Sequence, residues 1–158
     1  MLASQATITV LDFEGTGSVK GYPDEPWQIG LVQIRSGKVE ADTVFESLLR
    51  VGDRPFNRYA PGRHAELRDE MAAAPTLPTL WAALRNRLEG PLLAAHNAAT
   101  ENRYLAQAFP LHPPCQWIDT LKLVRIAYPT LRSHKLEDLI ARMQLAERLE
   151  MLVPGRSS

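Results

Sequence analysis

The alternation of apolar and polar positions begins with three β-type runs. Thr7 to Gly17, TITVLDFEGTG, opens with Ile8, Thr9, Val10, Leu11 and Phe13, all β-formers or apolar and without clean polar alternation. That pattern predicts a central strand buried on both faces. Trp27 to Arg35 sets Ile29, Leu31 and Gln33 against Gly30, Val32 and Ile34. A Ser36-Gly37 turn then leads into Lys38 to Val51, which carries Val39, Ala41, Val44, Phe45, Leu48 and Leu49. Two strands joined by a tight Gly-containing turn make an antiparallel hairpin, so the first three strands are expected to form a meander.

From Gly52 to Pro75 the periodicity fades into an irregular excursion with one short helix expected over His64 to Ala73. Its Arg54, Arg58, Arg63 and Arg68 alternate with Pro, Asp and Glu. A solvated surface is the favoured reading, and contact with a phosphate backbone the other. His64 lacks the partner spacing of a metal ligand. Thr76 to Glu89 predicts an amphipathic helix, with Leu77, Leu80, Trp81, Leu84 and Leu88 on one face, Thr76 as N-cap and Pro78 in the first turn. Leu92 to His96 is a short apolar strand and Ala98 to Phe109 a helix. Strand, helix and strand in that order predict a parallel crossover and a mixed α/β sheet. Gln116 to Ile118 is a further short strand, with Asp119 capping a helix over Thr120 to Tyr128. Ser133 to Met143 carries an apolar stripe of Leu136, Leu139, Ile140 and Met143, and a last weak helix is expected over Ala146 to Leu152.

Composition narrows the class. At 158 residues the chain holds one core, and 45% hydrophobic with 23% charged residues is globular. Eighteen basic and eighteen acidic residues cancel, which excludes a strongly cationic surface as the main means of holding nucleic acid but not a local groove. No apolar run approaches the roughly 18 residues of a membrane helix, and MLASQAT has no basic-then-apolar leader pattern, so the cytoplasm is the default compartment. Cys115 is the single cysteine, which excludes an intrachain disulfide and a cysteine zinc cluster. A buried inert thiol is the favoured reading there.

The chemistry concentrates in two places. Alternation puts Asp12 and Glu14 on one side of the first strand, about 7 Å apart. Gly15 and Gly17 end that strand and allow close approach to the backbone. Paired acids at a buried strand end need positive compensation, and a divalent cation such as Mg²⁺, which takes oxygen ligands, supplies it. A solvated strand exit with both acids in water is the alternative. The second place is HNAATE, residues 96 to 101. Glu101, in the first helical turn, shares a face with Tyr104, Leu105 and Ala108 and can meet Asp12 and Glu14 across the carboxyl ends of neighbouring strands. Stabilisation by the helix dipole alone is the competing account.

Together these residues resemble the DEDD superfamily of 3′→5′ exonucleases, the DnaQ-like, DEDDh-type group. Its first motif, D-x-E-T-T-G, is matched by Asp12, Glu14, Thr16 and Gly17, with Gly15 replacing the first Thr. Its second, H-N-A-x-F-D, is matched by His96, Asn97 and Ala98, with Thr100 for Phe and Glu101 for Asp. Ala74-Pro75-Thr76 and Trp117-Ile118-Asp119-Thr120 are also similar, so the resemblance spans most of the chain.

The resemblance implies a ribonuclease-H-like mixed sheet of about five strands, a meander plus parallel crossover strands, flanked by helices. It also implies a two-metal mechanism with Mg²⁺ or Mn²⁺, in which two ions roughly 4 Å apart stabilise the entering and departing oxygens. Asp12 would bridge both ions, Glu14 would hold the one on the side of the attacking water, and Glu101 the one near the leaving 3′-oxygen. Thr16 and Gly17 would offer backbone contacts to the terminal nucleotide, and Asn97 would help fix the strand end. Single-stranded DNA or RNA 3′ ends are the implied partners, with a homodimer or a polymerase-type partner as the implied assembly. No residue marks the face for it.

The third motif, H-x-x-x-x-D, supplies the family's general-base His and fourth metal acid. Here His134 and Asp138 offer themselves at the wrong spacing. They are expected to form an exposed i,i+4 pair on the solvent side of the helix bearing Leu136 and Leu139. The chain is therefore expected to be one exonuclease-like domain, 1–158, C-terminally incomplete. Loss of a general base costs about 10²–10⁴-fold in rate. Two readings follow: an exonuclease, or a nucleic-acid-binding module that keeps the fold without turnover. A structural or interaction protein using the Pro-rich loop is the third class.

Overall fold

The first strand, β1 (Thr7–Gly15), is the hub. It pairs antiparallel with β2 (Pro26–Arg35) on one side and parallel with β4 (Leu92–Ala95) on the other. Beyond β2 lies antiparallel β3 (Lys38–Leu48), and beyond β4 lies parallel β5 (Trp117–Asp119), giving the order β3-β2-β1-β4-β5. This is the expected ribonuclease-H-like mixed sheet flanked by helices. The computed structural model describes residues 5–60, 62–113 and 116–145. Cys115 and the helix expected over Ala146 to Leu152 lie outside the described residues.

Burial on β1 corrects one expectation. Thr9, Leu11 and Phe13 are buried, whereas Ile8 and Val10 are only half covered and Asp12 is exposed. The strand is sealed on one face alone, because the helices of the second layer pack there. Leu11, Phe13, Ile29 and Leu31 meet Leu84, Tyr104 and Leu105 in the main core. Thr9 is a polar member of that buried face and is fully paired. Its hydroxyl donates to the Arg87 carbonyl at 2.6 Å and accepts from Gln33 Nε2 at 3.2 Å.

Three helices begin later than their sequence patterns suggest, at Arg68, Trp81 and Leu136, whereas two begin at Ala98 and Thr120 as expected. In the excursion after β3, α1 covers only Arg68–Ala73. Thr76 does not cap an α-helix with its side chain. Its carbonyl instead accepts both the N–H and the hydroxyl of Thr79, which tightens Leu77–Leu80 into a 3₁₀ turn before α2 (Trp81–Leu88). Leu77 and Leu84 are buried as the apolar face requires. The crossover helix α3 (Ala98–Ala108) buries Glu101, Tyr104 and Leu105, and Tyr104 meets Phe13 edge to face with ring centroids 5.4 Å apart.

Asp119 caps α4 (Thr120–Ala127) as its position predicts, accepting from the N–H groups of Leu121 and Lys122. The expected stripe on α5 (Leu136–Arg142) is only partly used: Leu139 is buried, while Leu136 and Ile140 remain exposed.

Candidate active site

Because β1, β4 and β5 run parallel, their carboxyl ends open on the same side of the sheet. Asp12 and Glu14 leave β1 there, His96 and Asn97 follow β4, and Asp119 closes β5. The crossover sets Glu101 one turn into α3 behind them. Asn97 makes this turn at φ +80, a left-handed conformation that Asn tolerates better than most residues. Its N–H donates to Asp119 at 3.3 Å and its Nδ2 to the Thr100 hydroxyl at 3.3 Å, so the β4–α3 and β5–α4 turns are tied together.

Glu101 is the most constrained acid of the group. It is 4% exposed, and its Oε2 has no hydrogen-bond partner. Burial, assisted by the charges of Asp12 and Asp119, pushes it up to about 7 against the pull of its own backbone N–H. Asp12 reaches solvent, yet the protein around it removes enough water to raise its carboxyl above the ordinary range, against the Phe13 N–H and the charge of His96. Glu14 is raised by burial, then by Asp12 and by Glu137. These carboxylates repel one another through space and do not close up. Among the described residues no group of three His, Cys, Asp or Glu side chains is gathered tightly enough to hold an ion. The donor set nevertheless suits a hard cation, since an orphaned buried carboxylate oxygen beside raised carboxyls is what a divalent ion relieves.

The loop after β1 is fastened within itself. The Thr16 N–H is taken by the Glu25 carbonyl at 2.8 Å and the Gly17 N–H by Asp24 at 2.8 Å, so neither amide is free for a nucleotide. Asp24 is the anchor, a residue no sequence pattern singled out. Burial alone would raise it, but hydrogen bonds from Tyr104, Arg103 and Gly17 outweigh that and hold it below the ordinary carboxylate range. Gly15 now has a reason. A Cβ there would collide with the Tyr104 hydroxyl and lie 2.8 Å from Asp24 Oδ1. The glycine that replaces a family threonine thus makes room for this Asp24–Tyr104 contact.

The C-terminal histidine reading is corrected as well. His134 precedes α5 and is half buried, so it forms no exposed helical pair with Asp138. Its Nε2 donates to the Tyr128 carbonyl at 2.9 Å, and its own carbonyl accepts from His96 Nε2 at 2.7 Å. His96 also contacts the Thr120 hydroxyl at 3.1 Å. Glu137, by contrast, sits in the first turn of α5 close enough for its charge to act on Glu14. Only the packing of α5 could reveal it.

Residues 9–148 match the family model RNase_T, described as exonuclease. The chain belongs to this exonuclease family. It is thereby a member of the DnaQ-like DEDD superfamily. A 3′-5′ exonuclease DinG of Staphylococcus saprophyticus is 26% identical over 134 residues, covering 82% of this chain and 14% of the relative. A DNA polymerase III subunit epsilon-like protein of Rhodobacter capsulatus is 29% identical over 143 residues, covering 87% of this chain and 20% of the relative. The chain thus spans a fifth or less of the length of these curated relatives.

In fold it is similar to the nuclease domain of 3′hExo, a DEDDh family member bound to rAMP, with a TM-score of 0.65 at 17% identity over 91% of this chain and 82% of that one. E. coli exonuclease I in complex with a dT13 oligonucleotide gives a TM-score of 0.63 at 17% identity, covering 95% of this chain and 42% of that one. No helix among the described residues is long and apolar enough to cross a membrane.

Proposed function

We propose that this chain is a metal-dependent 3′→5′ exonuclease that hydrolyses phosphodiester bonds at single-stranded nucleic-acid ends. The observation that carries the reading is Glu101, a buried carboxylate with an unpartnered oxygen behind the exit of Asp12 and Glu14. Asp12, Glu14 and Glu101 would hold two Mg²⁺ or Mn²⁺ ions. When bound, such ions stabilise charge on the entering and departing oxygens of an in-line displacement. The chain's own residues shape the rest. Asp24 and Tyr104 fix the loop from Thr16 to Glu25 beside the carboxylates. Asn97, held on Asp119, would limit how far the strand end enters. Both DNA and RNA remain substrates of this reading, since an oligothymidylate and rAMP occupy the two structural relatives named above. A polymerase-type partner is the assembly that the epsilon-like relative suggests.

One observation favours a second reading. The Nε2 atoms of His96 and His134 both donate to backbone carbonyls, which leaves only Nδ1 of either ring to take a proton, and that of His96 already meets the Thr120 hydroxyl. A nucleic-acid-binding module without turnover would have this arrangement. Digestion of 5′-labelled single-stranded DNA and RNA with Mg²⁺ or Mn²⁺, beside an Asp12→Ala control, separates the two. A 3′-shortening ladder that disappears in the variant supports the exonuclease. No ladder, with a Mg²⁺-dependent thermal shift that Asp12→Ala abolishes, supports the binding module.

A further inference from the structure

The arginine-rich excursion after β3 resolves into two kinds of arginine. Arg54 is buried and holds the loop from within, bonding the Pro23 carbonyl and pairing with Glu25 at 3.1 Å. Arg68 lies 3.9 Å over the Phe56 ring and donates to the Arg54 carbonyl at 3.1 Å. Arg63 is occupied by Glu66. Arg58 is different: its guanidinium lies 4.5 Å over the Tyr59 ring and reaches the Tyr59 hydroxyl. Tyr59 is 76% exposed.

This exposed pair is held rigidly at the carboxylate end of β1. The Asn57 N–H donates to the Thr16 carbonyl at 2.8 Å, and Asn57 Nδ2 donates to the Ser18 carbonyl at 2.9 Å. The Asn57 side-chain oxygen accepts the Tyr59 N–H at 2.9 Å, and its carbonyl accepts the Ala60 N–H at 2.9 Å. Gly17, at φ +67, admits this seam because a Cβ there would lie 2.6 Å from Asn57 Cβ. Downstream, a Cβ on Gly62 would stand 3.6 Å from the carboxyl carbon of Glu14. Tyr59 therefore sits between two points fastened to the exit of β1. Three residues span at most about 10 Å, so it lies within that distance of the backbone against Glu14.

We propose that Tyr59, backed by Arg58, is a stacking platform for a base of single-stranded nucleic acid immediately 5′ of the terminal nucleotide. It deepens the exonuclease reading above and rests on it. An open aromatic face accepts any base, and the adjoining guanidinium places positive charge where the backbone phosphates pass. In a chain with no net charge, this gives a local means of holding a strand whose end lies at the acids.

The test is equilibrium binding of a short 5′-fluorescein oligothymidylate by anisotropy in Ca²⁺, with dTMP competition in parallel. Tyr59→Ala is expected to weaken oligomer binding about tenfold while leaving dTMP affinity unchanged, and Tyr59→Phe to stay within about twofold of wild type. Arg58→Gln is expected to lower the slope of log affinity against log salt by about 0.7. Unchanged oligomer affinity in Tyr59→Ala, or a parallel loss for dTMP, overturns the platform alone. A wild-type chain that binds no oligomer overturns both the platform and the exonuclease reading.

Discussion

Replacing Glu101 by Gln isolates the buried charge on which the site reading depends. In the metal-free protein Glu101 titrates at about 7 when folded, against the ordinary 4.5 when unfolded. Its folded-state pKa is raised, so the folded state holds the proton more tightly and stability falls as pH rises from about 4.5 to about 7, then levels off. At one pKa unit per 1.36 kcal/mol, the wild type should lose about 2.5 kcal/mol from this group between pH 5 and pH 8. Raised Asp12 and Glu14 act in the same direction and remain in both proteins. The Gln variant keeps the shape without the charge, at a cost of about 1 kcal/mol for an amide with imperfect partners. Urea unfolding in EDTA should therefore find the variant slightly less stable at pH 5 and more stable at pH 8. Saturating Mg²⁺ should stabilise wild type at pH 8 more than the variant, which keeps Asp12 and Glu14 alone. Parallel pH profiles for the two proteins in EDTA would refute the claim that Glu101 is a buried, unrelieved carboxylate.

Asp24→Ala removes the acceptor shared by Gly17, Arg103 and Tyr104 and should cost about 2–4 kcal/mol in urea unfolding. Because the folded pKa of Asp24 is lowered, its contribution is present at neutral pH and lost as pH falls through the acid range. Gly15→Ala should destabilise by about 1–3 kcal/mol through collision with the Tyr104 hydroxyl, and Tyr104→Phe in the same chain should recover part of that loss by thermal melting. His96→Ala removes the link to the His134 carbonyl, so amide hydrogen exchange should quicken about tenfold across Leu136–Arg142 and change little in β1 and β2.

Much of the fold was legible because it rests on local patterns. The Ser36-Gly37 turn declares the hairpin, and the apolar run LLAA followed by a helical stripe declares the crossover. Asp119 could be read as a cap because capping needs only the next few residues. Thr76 stands at the N-cap position its type suggests, but it heads a 3₁₀ turn rather than an α-helix and its hydroxyl makes no capping bond. His134 was misplaced because helical spacing presumes a helix, and α5 begins only at Leu136.

For the site, the sequence by itself determined which way each candidate acid faces on its own element. Strand alternation puts Asp12 and Glu14 on one side, and helix periodicity turns Glu101 inward with Tyr104 and Leu105. Those periods belong to the backbone and need no partner. Tertiary structure alone decided the rest: that Asp24 crosses 80 residues to Tyr104, that Glu137 acts on Glu14, and that the Thr16 and Gly17 amides are consumed within their own loop. Each depends on how far apart two distant segments settle, and electrostatics and hydrogen bonding respond to that distance rather than to separation along the chain.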